Sequence, residues 1–336
     1  MVLLVTSASG ANGAGYGKLL AFSEDGRLLR SFSEDARIVD PRGVGVDGAL
    51  LFLNSGSNRI LALDGKGRVV RDSGAIAGLN PGGGDFGPDG RYYVGLRAAR
   101  TIMAFAPTLD GAGEAVLPPA VVPFPRGFAF GQDGTLFLAS GIGPGGEGDN
   151  TILAFSPERR IKLSWKVEDP ALSPLDLAIA PNGNVVVSSE HPFGTPDAVT
   201  TVREYDRTDG RLVRVLAPDR GTGFRNPRGL RFGPDGKLYC VAQDEVVVFD
   251  FVSGKCLGAA VWLPGLNGQA VIFFGYGEKE WMHRQQRSDS RMSNGHTSRN
   301  SSASTTGACT TSTRAPALRS FSFTAIRHGA FCTGRS

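Results

Sequence analysis

The chain has no apolar run near the roughly 20 residues that a membrane-crossing helix needs. Its first residues, MVLLVTSASG, contain no basic segment, and their apolar run of about four is too short for a secretory signal. These absences predict a soluble protein without a membrane partner, cytoplasmic by default and monomeric. Helical periodicity is also missing, since no segment of about ten residues or more repeats its apolar positions every 3.6 residues. A helical bundle or solenoid is thereby excluded. Four cysteines in 336 residues make no disulfide framework. No Cys/His spacing suits zinc, and no Gly-x-Ser-x-Gly elbow is present. The glycine-rich stretches Asn80–Gly87 and Gly141–Asn150 lack the Lys-Ser/Thr of a phosphate-binding loop and the alternating acids of an EF-hand. They read as a strand start and a flexible loop.

Positive charge is scarcer than it looks. The formal net charge is +4, but residues 276–336 hold nine Lys/Arg against three Asp/Glu. The first 275 residues carry 27 basic and 29 acidic side chains. Such a body lacks the surplus that neutralises many phosphates, so nucleic acid is not the expected partner.

What the sequence does have is punctuation. Glycine is abundant (47), and most of the aromatic residues are phenylalanine (20). Five segments share an opening built on Pro-x-Gly or a variant of it: DPRGVGV (Asp40–Val46), NPGGGDF (Asn80–Phe86), FPRGFAF (Phe124–Phe130), SPLDLAI (Ser173–Ile179) and NPRGLRF (Asn226–Phe232). Each leads into an Asp-Gly or Asn-Gly turn, often Gly-Pro-Asp-Gly, and then into a short run such as RYYVGL, TLFLAS or KLYCVA. Asp-Gly and Asn-Gly between apolar runs mark hairpins, because glycine accepts the positive φ those turns need. A third motif appears six times, from GKLLAF (17–22) to DEVVVF (244–249), at intervals of 41, 42, 50, 50 and 44 residues. A second turn and a fourth strand follow it. Four strands per repeat of about 40–50 residues is the pattern of a β-propeller blade. Cys240 and Cys256 then fall on strands separated by a third, roughly 9–10 Å apart and beyond disulfide reach.

The count closes on itself. VLLVTSAS, GKLLAF and RLLRSF supply the last three strands of a blade whose first strand is missing at the amino end. LNGQAVIFF (266–274) appears where a sixth first strand is due. Residues 1–275 are therefore read as an all-β, six-bladed propeller of four-stranded blades, closed by three N-terminal strands and one C-terminal strand. Residues 276–336 are read as a basic Ser/Thr-rich tail, disordered or out of frame. Ser and Thr make up 19 of its 61 residues, and residues 290–336 contain no Asp or Glu. Such a composition buries too little apolar surface to offset ordering entropy.

Pro-x-Gly, Gly-Pro-Asp-Gly and NSGSNRILALD (Asn54–Asp64) together resemble the NHL repeat. The whole of 1–275 resembles six-bladed NHL or TolB-like propellers, including the senescence-marker-protein/gluconolactonase group. In a propeller the first strand of each blade lines the central channel. The x of each Pro-x-Gly is then expected near the channel mouth, which gives Arg42, Gly82, Arg126, Leu175 and Arg228, with Asn267 as the sixth equivalent. Asp176, Glu190, His191, Asn54 and Asp244 are expected on the same face.

Planar guanidinium groups around one opening suit a small anionic or polyhydroxylated ligand. The alternative is that they pair with Asp176, Glu190 or Asp244 and only brace the blades. A protein partner on this loop face is equally compatible with the fold. The gluconolactonase resemblance implies a Ca²⁺ or Mg²⁺ site, for which Asn54, Glu190, Asp244 and Asn267 are the candidates, with Asp176 as the alternative acid to Asp244, and a lactonase-like hydrolase. The resemblance to virginiamycin-lyase-like propellers implies instead a lyase using a His, a Glu and Mg²⁺. His191 beside Glu190 is a candidate base there, or a hydrogen-bonded structural histidine.

Overall fold

The computed structural model describes residues 1–9, 15–32, 34–142, 148–218 and 224–275. The expected tail from 276 onward and the centre of the Gly141–Asn150 loop lie outside the described residues.

The strands fall into six antiparallel sheets. Blade 1 holds β1 (Val2–Ser7), β2 (Leu19–Phe22) and β3 (Leu28–Phe32). Blade 2 is β4 (Val44–Asp47), β5 (Leu50–Ser55), β6 (Arg59–Leu63) and β7 (Val69–Asp72). Blade 3 is β8 (Pro81–Phe86), β9 (Tyr92–Leu96), β10 (Thr101–Phe105) and the two-residue β11 (Glu114–Ala115). Blade 4 has β12 (Pro125–Phe130), β13 (Leu136–Ile142) and β14 (Gly148–Phe155). Blade 5 is β15 (Pro174–Ile179), β16 (Val185–His191), β17 (Val199–Tyr205) and β18 (Leu212–Leu216). Blade 6 is β19 (Pro227–Phe232), β20 (Leu238–Ala242), β21 (Glu245–Phe249) and β22 (Cys256–Trp262). The last strand, β23 (Gly268–Phe274), pairs with β1 and completes blade 1.

The six-bladed propeller expected from the repeat is the fold, with one departure. Blade 4 has three strands among the described residues, and a single bridge, Phe155 to Ile161, stands where its fourth would be. Cys240 and Cys256 lie on β20 and β22 with β21 between them, both as free thiols.

The hairpin turns form for a local reason. In Gly87-Pro-Asp-Gly90, Asp89 accepts the backbone N–H of Arg91 (3.2 Å), its Nε–H (2.7 Å) and the Tyr93 hydroxyl (2.9 Å). Gly90 closes the turn at φ 75°, a left-handed conformation that glycine adopts without steric cost. Asp235 repeats the arrangement with Lys237 and Tyr239, and Asp133 with Thr135.

Between blades the alternation of strand faces makes the core. In β5, Leu51 and Leu53 pack toward blade 1, while Phe52 packs toward Tyr92 and Val94 of blade 3. Six such clusters exist, one at each blade interface. Phe52 is fully buried, and burying a phenylalanine is worth about 1.5–3 kcal/mol.

Closure uses the predicted strand. β23 runs antiparallel to β1 from Val2–Phe274 to Ser7–Gly268. Asn267 Nδ2 donates to Ala8 O (2.9 Å), and the Ala8 N–H donates to Asn267 O (3.1 Å). Five of the six inner strands are irregular where they leave the mouth, and β4 alone keeps an even register from Val44. The ladder shifts between Pro125 and Phe128, between Pro227 and Leu230, and beside Gln269. A bulge of this kind re-aims one side chain, and here the re-aimed residue is the x of Pro-x-Gly.

Candidate functional site

The inner strands stand in the order β4, β8, β12, β15, β19, β23 around the channel. At its mouth is a cavity of about 230 Å³, lined by Arg42, Gly82, Arg126, Leu175, Arg228 and Gln269, one from each blade. Five of these are the positions expected from the repeat.

The sixth is not Asn267, and the backbone explains why. Asp40, Asn80, Asn226 and Asn267 share a left-handed φ of 42°, 31°, 48° and 42°. Asn267 therefore matches the residue before Pro in blades 2, 3 and 6, and Gln269, two positions on, takes the x place. Leu-Asn-Gly imitates Pro-x-Gly in letters but not in register.

Arg97, Phe124 and Phe193 add to the wall, and none of them belongs to a motif at the x position. Arg97 follows β9 in the loop to β10, and Phe193 sits in the loop after β16. Three residues beyond the mouth along the inner strands, roughly 10 Å at strand spacing, Arg231 of blade 6 bonds Asp85 of blade 3. Those blades are opposite each other, so the ion pair spans the channel and forms the floor of the cavity. Asp176 of blade 5 lies against the same floor and accepts the Leu230 N–H at 2.9 Å. Gly127 makes this possible, since a Cβ there would lie 1.8 Å from Asp176 Oδ1.

The arginines are unevenly served. Arg228 pairs with Glu190 (3.1 Å), so for this residue the bracing role holds. Arg42 bonds only the neutral amide of Gln269 among its side-chain partners. Arg126 donates Nη2–H to Ile142 O (2.7 Å) and stacks on Phe193, 4.4 Å from the ring centre. The Nε atoms of Arg97 and Arg126 are buried without a hydrogen-bond partner among the described residues.

The energetic sign is clear. Burial, then the nearby Arg42, Arg126 and Arg228, holds Arg97 down to about 9. Burial and Arg228 hold Arg126 down to about 10, against the pull of Glu190. Both values leave the guanidinium charged at neutral pH, and the displacement reflects first the burial of that charge and then the like charges beside it. Asp176 is displaced the other way. Burial pushes its carboxyl up to about 6, although the Leu230 N–H and Arg231 oppose this.

The proposed metal set does not come together. None of Asn54, Glu190, Asp244 and Asn267 lines the cavity. Asn54 spends its amide on Gly82 O (3.3 Å), Gly83 O (3.2 Å) and the Tyr92 hydroxyl (2.9 Å). Asn267 is bonded to Ala8, and Asp244 lies in the β20–β21 turn, where its carbonyl accepts the Leu263 N–H. Among the described residues no three His, Cys, Asp or Glu side chains group so as to hold a metal ion. These residues do not fit a Ca²⁺ or Mg²⁺ centre. His191 lies within 3.1 Å of Ser173 Oγ through Nδ1 and does not line the cavity. Its place at the end of β16 brings Phe193 to the wall.

No protein-family model matches the sequence, and no curated protein matches it significantly. Solved structures do resemble it. A protein of unknown function from Bacteroides caccae superposes with a TM-score of 0.60 at 14% identity, over 80% of this chain and 97% of that one. A protein assigned as a gluconolactonase gives 0.52 at 19%, over 67% and 78%. Virginiamycin B lyase from Staphylococcus aureus gives 0.47 at 14%, over 62% and 66%, a likeness too loose to carry an argument. At these identities the likeness is one of fold, and the fold is the six-bladed β-propeller.

Proposed function

We propose that the protein is a binding propeller whose channel mouth takes a small anionic ligand. One observation carries this reading: Arg42, Arg97 and Arg126 converge on a closed-bottomed cavity, and among the described residues no carboxylate is bonded to any of them. Converging charge of one sign in a low-dielectric pit is costly when empty and attracts the opposite sign. The fold could have neutralised these groups with acids, as it does at Arg228 and Arg231.

The lactonase reading needs a metal held by Asn54, Glu190, Asn267 and either Asp244 or Asp176, and the lyase reading needs one beside His191 and Glu190. Of these side chains only Asp176 lines the cavity, and among the described residues no three His, Cys, Asp or Glu side chains group around an ion site. The anion reading keeps the same face and needs no metal.

A melting-temperature screen against small anions at constant ionic strength tests it. A ligand at 100 times its Kd stabilises the fold by about 2.7 kcal/mol, several degrees for a chain of this size. The stabilisation is expected to vanish in the double variant Arg97→Gln, Arg126→Gln. If no anion shifts the wild-type melt, or if the double variant responds as the wild type does, the reading is wrong.

A further inference from the structure

The arginines alternate around the ring. In blade order the x positions are Gln269, Arg42, Gly82, Arg126, Leu175 and Arg228. Guanidinium groups come from blades 2, 4 and 6, and uncharged side chains from blades 1, 3 and 5. A sixfold ring occupied at every second place has threefold symmetry about the channel axis. Gly82 contributes no side chain, and Arg97 reaches the wall from the same blade.

Charge narrows the ligand further. Arg42, Arg97, Arg126, Arg228 and Arg231 face Asp85 and Asp176, with Glu190 bonded to Arg228. Five cations against three carboxylates leave two positive charges uncompensated. A carboxylate group has two oxygens in one plane and one charge, so it occupies a single guanidinium fork. A phosphate monoester presents three terminal oxygens about the P–O ester axis and carries close to two negative charges at neutral pH. Its symmetry and charge both match the ring.

We propose, resting on the anion-binding reading above, that the mouth grips the phosphoryl group of a small phosphate monoester. The three terminal oxygens face Arg42, Arg126 and Arg228, and the ester axis lies along the channel. The Arg231–Asp85 pair closes the floor, so the organic residue points outward past Phe124 and Phe193. The cavity of about 230 Å³ holds some seven waters at about 30 Å³ each. That leaves room for a small organic residue beyond the phosphoryl group.

Calorimetric titration of the full chain at constant ionic strength tests the proposal, with glycerol phosphate, inorganic sulfate, citrate and acetate as probes. Glycerol phosphate is expected to bind at least tenfold more tightly than citrate or acetate, and its affinity should rise as pH passes the second phosphate ionisation near 6. Sulfate, tetrahedral and doubly charged without that ionisation, should bind with no such rise. Arg42→Gln and Arg126→Gln should each weaken glycerol phosphate binding tenfold or more, and Arg228→Gln, whose guanidinium is shared with Glu190, by a smaller but measurable factor. The matching Lys variants, which keep the charge and lose the fork, should fall between, and the melting temperature of each variant shows that it is folded. Tighter binding of citrate overturns the phosphoryl assignment and leaves the anion site standing. Loss confined to one arginine overturns the threefold grip. Absence of binding by all four probes removes both readings.

Discussion

The two ends of the propeller channel are built from the same six repeats and treat charge in opposite ways. On the turn face, burial pushes Asp89 upward, but bonds from the Arg91 side chain and backbone and from Tyr93 outweigh it, and the carboxyl stays below its usual range. Asp235 behaves alike through Lys237 and Tyr239, and Asp133 through Thr135. Charge there favours the folded chain. At the mouth, Arg97 and Arg126 are held below the usual arginine range and Asp176 above the usual carboxylate range. Charge there opposes folding. Local rules are kept at one end and broken at the other, the contrast expected if the mouth is the proposed binding site and the turns are a folding motif.

The comparison can be broken most completely by opening the ring. A chain ending at Gly265 lacks β23 and leaves β1 paired on one side only, with β2. It is expected to lose cooperative unfolding, whereas a chain ending at Gly275 should melt like the full protein. Equal circular-dichroism melts for the two would refute closure by β23.

A smaller effect separates the ends by pH. Asp176, with its folded pKa raised to about 6, costs stability once ionised, so the fold gains as pH falls from about 6 toward 4. Two units correspond to on the order of 2 kcal/mol. The turn-face aspartates, with folded pKa values lowered, contribute fully above about pH 4 and lose that contribution as pH falls further. Stability should therefore peak between about pH 4 and 5, and Asp176→Asn should remove the rise between pH 7 and 5 while leaving the acid limb. Denaturant melts across pH check this, and an unchanged rise in Asp176→Asn would assign it elsewhere.

The smallest effect sharpens the contrast by sign. Asp89→Ala should cost about 1 kcal/mol, a typical loss for hydrogen bonds at a half-exposed charged group, and leave anion binding unchanged. Arg126→Met should raise the ligand-free stability by about 1 kcal/mol, through removal of a buried unpaired charge, and reduce anion binding. Two changes of the same sign would dissolve the distinction between the faces.

Much of the fold was legible in the sequence because hairpin chemistry is local. Asp-Gly turns, short β-rich runs and a regular interval fixed the blades, and a missing first strand at one end with a surplus one at the other fixed the closure. The site was legible only along the inner strand. Arg42, Arg126 and Arg228 share one column of the repeat and could be placed from it. Asn267 was misplaced because Gly268 stands where the other blades carry Pro, so Leu-Asn-Gly imitates Pro-x-Gly two positions early, and the left-handed φ of Asn267 reveals the register only in three dimensions. Arg97 sits in a loop outside the column. The Arg231–Asp85 pair joins residues 146 positions apart; its one trace in the sequence is a charge at an inner-strand position where other blades carry Gly45, Ala129 or Ala178.

The pairing of Val2 with Phe274 has a practical side. Both strand ends lie on the turn face, side by side, while the far end of β23 brings Gln269 to the arginine-lined mouth. A tether at the amino end would hang the molecule with its cavity facing outward, free for capture from solution. A short linker joining residues 275 and 2 would let the chain be cut at another turn, so circularly permuted forms could carry a reporter at any chosen blade.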